Sequence, residues 1–194
     1  MKKLFITILL LCLTGICFAD SITVSINDIP TNLDEFIALR DEIATTPQGG
    51  AVVFILAMIL YNQDEDLGLA AFTIAIDLGQ LDEGNVYKGY KPRSSWYYLF
   101  GQLAYAEYLG RVYIDETDYS DAYSLPDKPY EFIFTRIQET GENSMKVFVQ
   151  TTSGNMPRPI SLVQNNRGLW KAWEASSLFV GVSRTPPANI DDDL

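Results

Sequence analysis

The chain has 194 residues, a formal charge of −11, no histidine and two cysteines. The missing histidine removes the side chain that most often moves protons near neutral pH, and with it Ser-His-Asp triads and histidine-based metalloprotease helices. The acidic balance disfavours nucleic acid and anionic lipid as partners, because both require clustered positive charge.

Met1-Lys2-Lys3, the apolar run Leu4 to Leu13 and the small residue Ala19 before Asp20 follow the order of a secretory signal. The run is shorter than the ~20 residues a membrane span needs, so residues 1–19 are expected to be removed on export to the periplasm or beyond. Cys17 offers lipid attachment as an alternative, which the bulk of Ile16 before it disfavours. Both cysteines, Cys12 and Cys17, lie inside this segment. Its removal leaves 175 residues without a thiol, and the loss of Lys2 and Lys3 takes the charge from −11 to −13. Neither a disulfide framework nor thiolate chemistry then remains, and stability must come from a buried core.

Ile22-Thr23-Val24-Ser25-Ile26 alternates and is β-branched, which predicts a short strand. Asn32 and Glu35 stand at capping-box spacing before a helix whose stripe is Leu33, Phe36, Ile37 and Ile43. Thr46-Pro47 predicts a second helix start. The run Ala51 to Leu60 is apolar on every side and too short to cross a bilayer, so it predicts a central buried helix. A third helix is expected from Asp64 to about Leu78, with Ala70, Ala71 and Ala75 allowing close packing. A fourth is expected to be capped by Ser94 or Ser95, to carry Trp96, Leu99, Phe100 and Leu103 at helical spacing, and to end at Gly110.

Between Arg111 and Pro129 the pattern dissolves into acids, tyrosines and prolines, which predicts a long surface loop. Thereafter the period becomes two. Tyr130–Gln138, Met145–Thr152, Ile160–Gln164 and Leu169–Val182, the last broken near Ala175, are expected as strands joined by turns at 140–143 and 165–168. Residues 183–194 form an acidic tail expected to be disordered. Helices followed by strands predict an α+β fold, one domain over 20–182, with N-terminal helices packed on one face of a C-terminal antiparallel β-meander.

The stretch from Met156 to Trp173 concentrates candidate binding residues. Pro157 and Pro159 hold Arg158 on a stiff, extended lead-in. Alternation after Gly168 places Lys171 and Trp173 on one face and Trp170 on the other, unless a bulge intervenes. Arg158 or Lys171 could hold an anionic or polar group beside an aromatic wall; the plain alternative is a packed hairpin with Arg158 paired to a surface carboxylate. Ten of the eleven tyrosines lie between Tyr87 and Tyr130. Tyr119 and Tyr123 in the long loop are therefore contact candidates.

Pro157-Arg158-Pro159-Ile160, Gly168-Leu169-Trp170-Lys171 and Ser176-Ser177-Leu178, after a Gly/Ala-rich helical segment, resemble an uncharacterised family of exported bacterial proteins, domain of unknown function 6935. The resemblance spans about Pro30 to Val182 and implies a single domain and no known activity. A looser likeness, to the nuclear-transport-factor-2-like cone, implies a pocket between sheet and helices.

No Walker-type or dinucleotide-type glycine loop is present, and no cofactor is expected. Asn62, Asp64 and Asp66 start like a calcium loop, but Leu67 occupies the required glycine position. Asp115, Glu116, Asp118 and Asp121 are weak candidates for gathering a hard cation. Among carboxylates, Glu131, Glu139 and Glu174 could form a hydrolytic pair only if two of them converge. The sequence thus favours a non-catalytic exported domain that binds an unknown protein or small polar ligand. A carboxylate-dependent hydrolase of envelope glycans and a structural envelope protein are the alternatives.

Overall fold

The structure, a computed structural model, describes residues 21–154 and 156–183. The expected signal segment 1–19 and the acidic tail beyond Ser183 lie outside them. The chain runs β1 (Ile22–Ile26), α1 (Leu33–Ile43), α2 (Pro47–Gln63), α3 (Glu65–Ala75), β2 (Leu81–Tyr87), β3 (Tyr90–Pro92), α4 (Ser94–Leu103), β4 (Tyr130–Gly141), β5 (Ser144–Val149), β6 (Arg158–Gln164) and β7 (Trp170–Glu174). Strands β1-β4-β5-β6-β7 form one antiparallel sheet, with the helices placed in sequence before its meander. The fold is α+β.

Short polar side chains set the helix starts. Asn32 Oδ1 accepts from Glu35 N at 3.0 Å, and the Glu35 carboxylate reaches back to Thr31 N at 2.8 Å. Bonds from the Thr31 backbone N–H and, next, the Thr31 hydroxyl hold the exposed Glu35 carboxyl below its usual value. Thr46 Oγ1 accepts from Gly49 N at 3.1 Å, a cap worth about 1 kcal/mol. Asp64 ends α2 and caps α3 through Leu67 N, so the acids at 64–66 serve a helix junction. The spacing of Ser94 and Ser95 misleads: Arg93 occupies the cap position, without a side-chain bond, and Ser94 is already helical. Helix α4 also stops at Leu103, well before Gly110. Gly110 has a different reason to be glycine, since a Cβ there would come 2.6 Å from Ile59 Cγ1 on α2.

Helix α2 is the centre of the molecule. Every residue from Gln48 to Leu60 is buried, as its unbroken apolar run requires. The sheet turns Phe132 and Phe134 of β4, Val147 and Val149 of β5, Ile160 and Leu162 of β6, and Ala172 of β7 into the same core. The space between sheet and helices, where the looser likeness implies a pocket, is filled by α2. On its other side Phe54, Phe72, Trp96 and Phe100 join α2, α3 and α4 in an aromatic cluster, with Phe72 and Phe100 stacked at 4.0 Å. No helix among the described residues is long and apolar enough to cross a membrane.

Two departures from expectation matter for the site. Residues 81–92 form a separate two-stranded sheet, turned at Lys88 (φ 48°) and Gly89 (φ 85°). Positive φ at both central positions is the geometry of a tight hairpin turn. The segment 111–129 is also no simple surface loop. Val112, Tyr113, Ile114, Thr117 and Tyr123 are buried in it, and Thr152 N donates to Val112 O at 2.9 Å. Its apolar side chains follow no regular period, so a sequence pattern could not reveal their burial. The last expected strand ends at Glu174, and a 3-10 turn at Ser176–Phe179 replaces its second half.

Candidate functional site: a cationic hollow beside Lys171

Strand β7 supplies the first residue. Trp170 faces inward: its backbone N donates to Ala44 O at 2.8 Å, and Gly50 of α2 packs so close that a Cβ would sit 2.6 Å from Trp170 O. Two residues later, Ala172 forms a parallel bridge with Ile76 and accepts a bond from Asp77 N at 2.9 Å, so the chain leaving α3 runs along β7. Lys171 lies between these contacts. Its Nζ donates to Ile74 O at 2.6 Å, with Ile76 O at 3.5 Å. The ammonium therefore sits where α3 ends and its carbonyls lack helical partners.

Around Lys171 the chain assembles three more cations. Arg40 comes from the last turn of α1, Lys88 from the β2–β3 turn and Arg167 from the β6–β7 turn. Each support is local. Arg40 Nε lies 2.8 Å from Asp41 Oδ1, an ion pair whose angle falls short of a hydrogen bond. The Lys88 ammonium stands 5.3 Å from the centre of the Tyr87 ring. Asn165 Oδ1 accepts from both Arg167 N and Leu169 N, and Gly168 takes φ 76°, which fixes the turn carrying Arg167. The hollow they line holds about 450 Å³. Its remaining walls include Leu78, Leu81, Tyr87 and Tyr90, with Asp77 as the carboxylate among its lining residues.

Burial pushes the Lys171 ammonium down to about 8; Arg40 and Arg167 add to that fall, and Asp77 opposes it. Below pH 8 folded and unfolded chains both carry this proton, so its effect on stability is constant. Between 8 and the ordinary value of 10.5 the unfolded chain holds more of it, and stability rises with pH. Tyr61 acts in the opposite sense above pH 10, because burial first, and Glu65 next, raise its hydroxyl to about 12. Denaturant titrations from pH 7 to 10 should accordingly show wild type gaining on Lys171→Met. Parallel pH courses for the two proteins would contradict the buried ammonium.

The other candidates from sequence fall elsewhere. Arg158 pairs with Val149 and Lys171 with Val163, five residues apart along the sheet, or roughly 17 Å. Arg158 Nη2 instead donates to Gly181 O at 2.6 Å, and Tyr113 donates to Leu178 O at 2.9 Å. These bonds fasten the segment after β7 to the body, so Arg158 meets a backbone carbonyl where a surface carboxylate was expected. Trp173 is the extra residue of a bulge, since Ser161 pairs with Glu174 and Leu162 with Ala172. It is 43% exposed, against 8% for Trp170. Tyr123 is fully buried, stacked on Tyr108 at 5.4 Å, and offers no contact surface; Tyr119 keeps part of its ring in water.

Among the acidic candidates, Asp115 and Glu116 line a small hollow with Asp127 and Glu131, while Asp118 and Asp121 are engaged by neighbouring serines. Asp118 accepts from the Ser120 hydroxyl and backbone N–H, which hold its carboxyl below the usual value. Asp121 Oδ1 accepts from Ser124 N. Among the described residues, no group of three or more His, Cys, Asp or Glu is placed to hold a metal ion. Glu131 and Glu139 stand at opposite ends of β4, roughly 25 Å apart, and Glu174 lies three strands away from them. A hydrolytic pair needs about 5–9 Å. The structure does not bring these three together.

Fold and site together define an α+β domain with a half-open polar hollow at one sheet edge. Residues 28–186 match the model of a family described as domain of unknown function (DUF6935), and the chain belongs to that family. No curated protein and no solved structure matches it.

Proposed function

We infer that this protein is an exported, non-catalytic binding module that acts in the periplasm or outside the cell and takes a small ligand with an anionic group beside Lys171. The observation that carries this reading is the convergence of Arg40, Lys88, Arg167 and Lys171 on one hollow, in a chain whose formal charge is −11. Asp77 is the carboxylate among the hollow's lining residues, and Asp41, next to Arg40 in the chain, partly answers Arg40. Such an arrangement selects by size of charge. The local cations attract a carboxylate or phosphate, while the acidic surroundings disfavour densely charged polymers such as nucleic acid. Tyr87 and Tyr90 supply the wall against which the rest of a ligand would rest.

Lys88 and Arg167 are exposed turn residues, so removing them leaves the core intact. Calorimetric titration with glucuronate, inorganic phosphate and uncharged glucose tests the reading. An anionic probe should bind, weaken as salt rises, and lose about tenfold in affinity in Arg167→Ala or Lys88→Ala, the loss of one charge-assisted bond. Failure of every anion to bind the folded protein would favour a purely structural role in the envelope.

A further inference from the structure

A second hollow, of about 340 Å³, is lined by Gln80 of the Leu78–Gln80 turn, whereas Leu78 and Asp77 line the first. Trp173 and Leu99 give it an apolar wall, and Gln80, Ser95 and Glu174 give it polar groups. The indole lies against Gly79, where a Cβ would come 2.8 Å from its Cζ3, and much of the ring remains in water. Lys171 and Trp173 are two residues apart on β7, about 7 Å along the strand, and each lines one of the two hollows.

The two linings differ in what they accept. An indole beside amide, hydroxyl and carboxylate groups suits a sugar ring, which offers an apolar C–H face and hydrogen-bonding hydroxyls. Glu174 Oε1 already accepts from Ser176 N at 2.8 Å, leaving its other oxygen for a sugar hydroxyl. Its negative charge repels an acidic unit, which the neighbouring cationic hollow would draw instead. An extended peptide fits less well. It would need the free edge of β7, and Ile76 and Asp77 already cover that edge at Ala172.

We propose that the two hollows are adjoining subsites for an acidic glycan, a uronic acid unit beside Lys171 and a neutral sugar against Trp173. This rests on the anion-binding reading above. Calorimetry on the folded protein uses three probes: glucuronate, a tetrasaccharide alternating glucuronate with N-acetylglucosamine, and the tetramer of N-acetylglucosamine alone. The mixed tetrasaccharide should bind about tenfold more tightly than glucuronate, the scale of one added aromatic contact. Trp173→Ala should erase that gain and leave glucuronate binding unchanged, whereas Arg167→Ala should weaken both acidic probes. If Trp173→Ala does not fold, Gly79→Ala displaces the indole and should produce the same loss. A mixed tetrasaccharide no tighter than glucuronate, or a gain that survives displacement of the indole, overturns the two-subsite proposal while the anion site stands. A neutral tetramer that binds as tightly as the mixed one also overturns it. No binding of either acidic probe removes both readings.

Discussion

Phe72→Ala should cost about 3–5 kcal/mol of stability, the usual range for emptying a buried aromatic position. Phe72 is fully buried on α3 and stacks on Phe100 at 4.0 Å, with Phe54 at 5.2 Å and Tyr61 at 6.0 Å. Three helices therefore meet on one ring. The cavity left by truncation cannot collapse easily, because its neighbours are stiff aromatic side chains fixed by separate helices. A domain of this size is stable by only about 5–15 kcal/mol, so the loss is a large fraction of the total. Urea denaturation measures it, with Tyr98→Ala as the control, since Tyr98 is 76% exposed and its loss should stay within about 0.5 kcal/mol. A Phe72→Ala loss no greater than the control's would mean that the aromatic cluster does not hold the helices together.

Lys171→Glu should also be damaging, by about 2–3 kcal/mol, below the range for leaving a fully buried charge uncompensated, because Lys171 is half-buried. The wild-type ammonium donates to Ile74 O and Ile76 O at the end of α3. A carboxylate there would face those carbonyls and the negative end of the helix dipole. Arg40 and Arg167 would recover part of the loss, which places Lys171→Glu at the lower end of the range in low salt. Lys171→Met should cost less, because the thioether fills the same space and carries no charge. Equal stability of the glutamate and methionine variants would show that Lys171 is better solvated than its bonds indicate.

The sequence made most of the architecture legible because its local signals and its tertiary packing agree. The unbroken apolar run 51–60 could only be a buried helix, and Thr46 and Asn32 mark helix starts that the structure uses. Alternation between Tyr130 and Val149 reads directly as two strands sharing one buried face. The small β2–β3 sheet escaped because its strands are short and polar, although the Lys88-Gly89 pair was a turn signal in plain sight. Burial of Tyr113 and Tyr123 escaped for another reason: irregular backbone has no period to betray which side chains turn inward. Of the hollow's cations, only Lys171 is legible as a candidate from sequence. Arg40, Lys88 and Arg167 lie far apart in sequence, and only the docking of α1, of the β2–β3 turn and of the β6–β7 turn brings them together.

Backbone amide shifts in a glucuronate titration test the central claim most directly, since they report where on the molecule an anion lands. Changes concentrated at Lys88-Gly89, at Asn166 to Gly168 and at Asp77 are expected. Changes confined to Tyr119 and its neighbours, or scattered without saturation, would contradict the assignment of the anion site to the hollow beside Lys171.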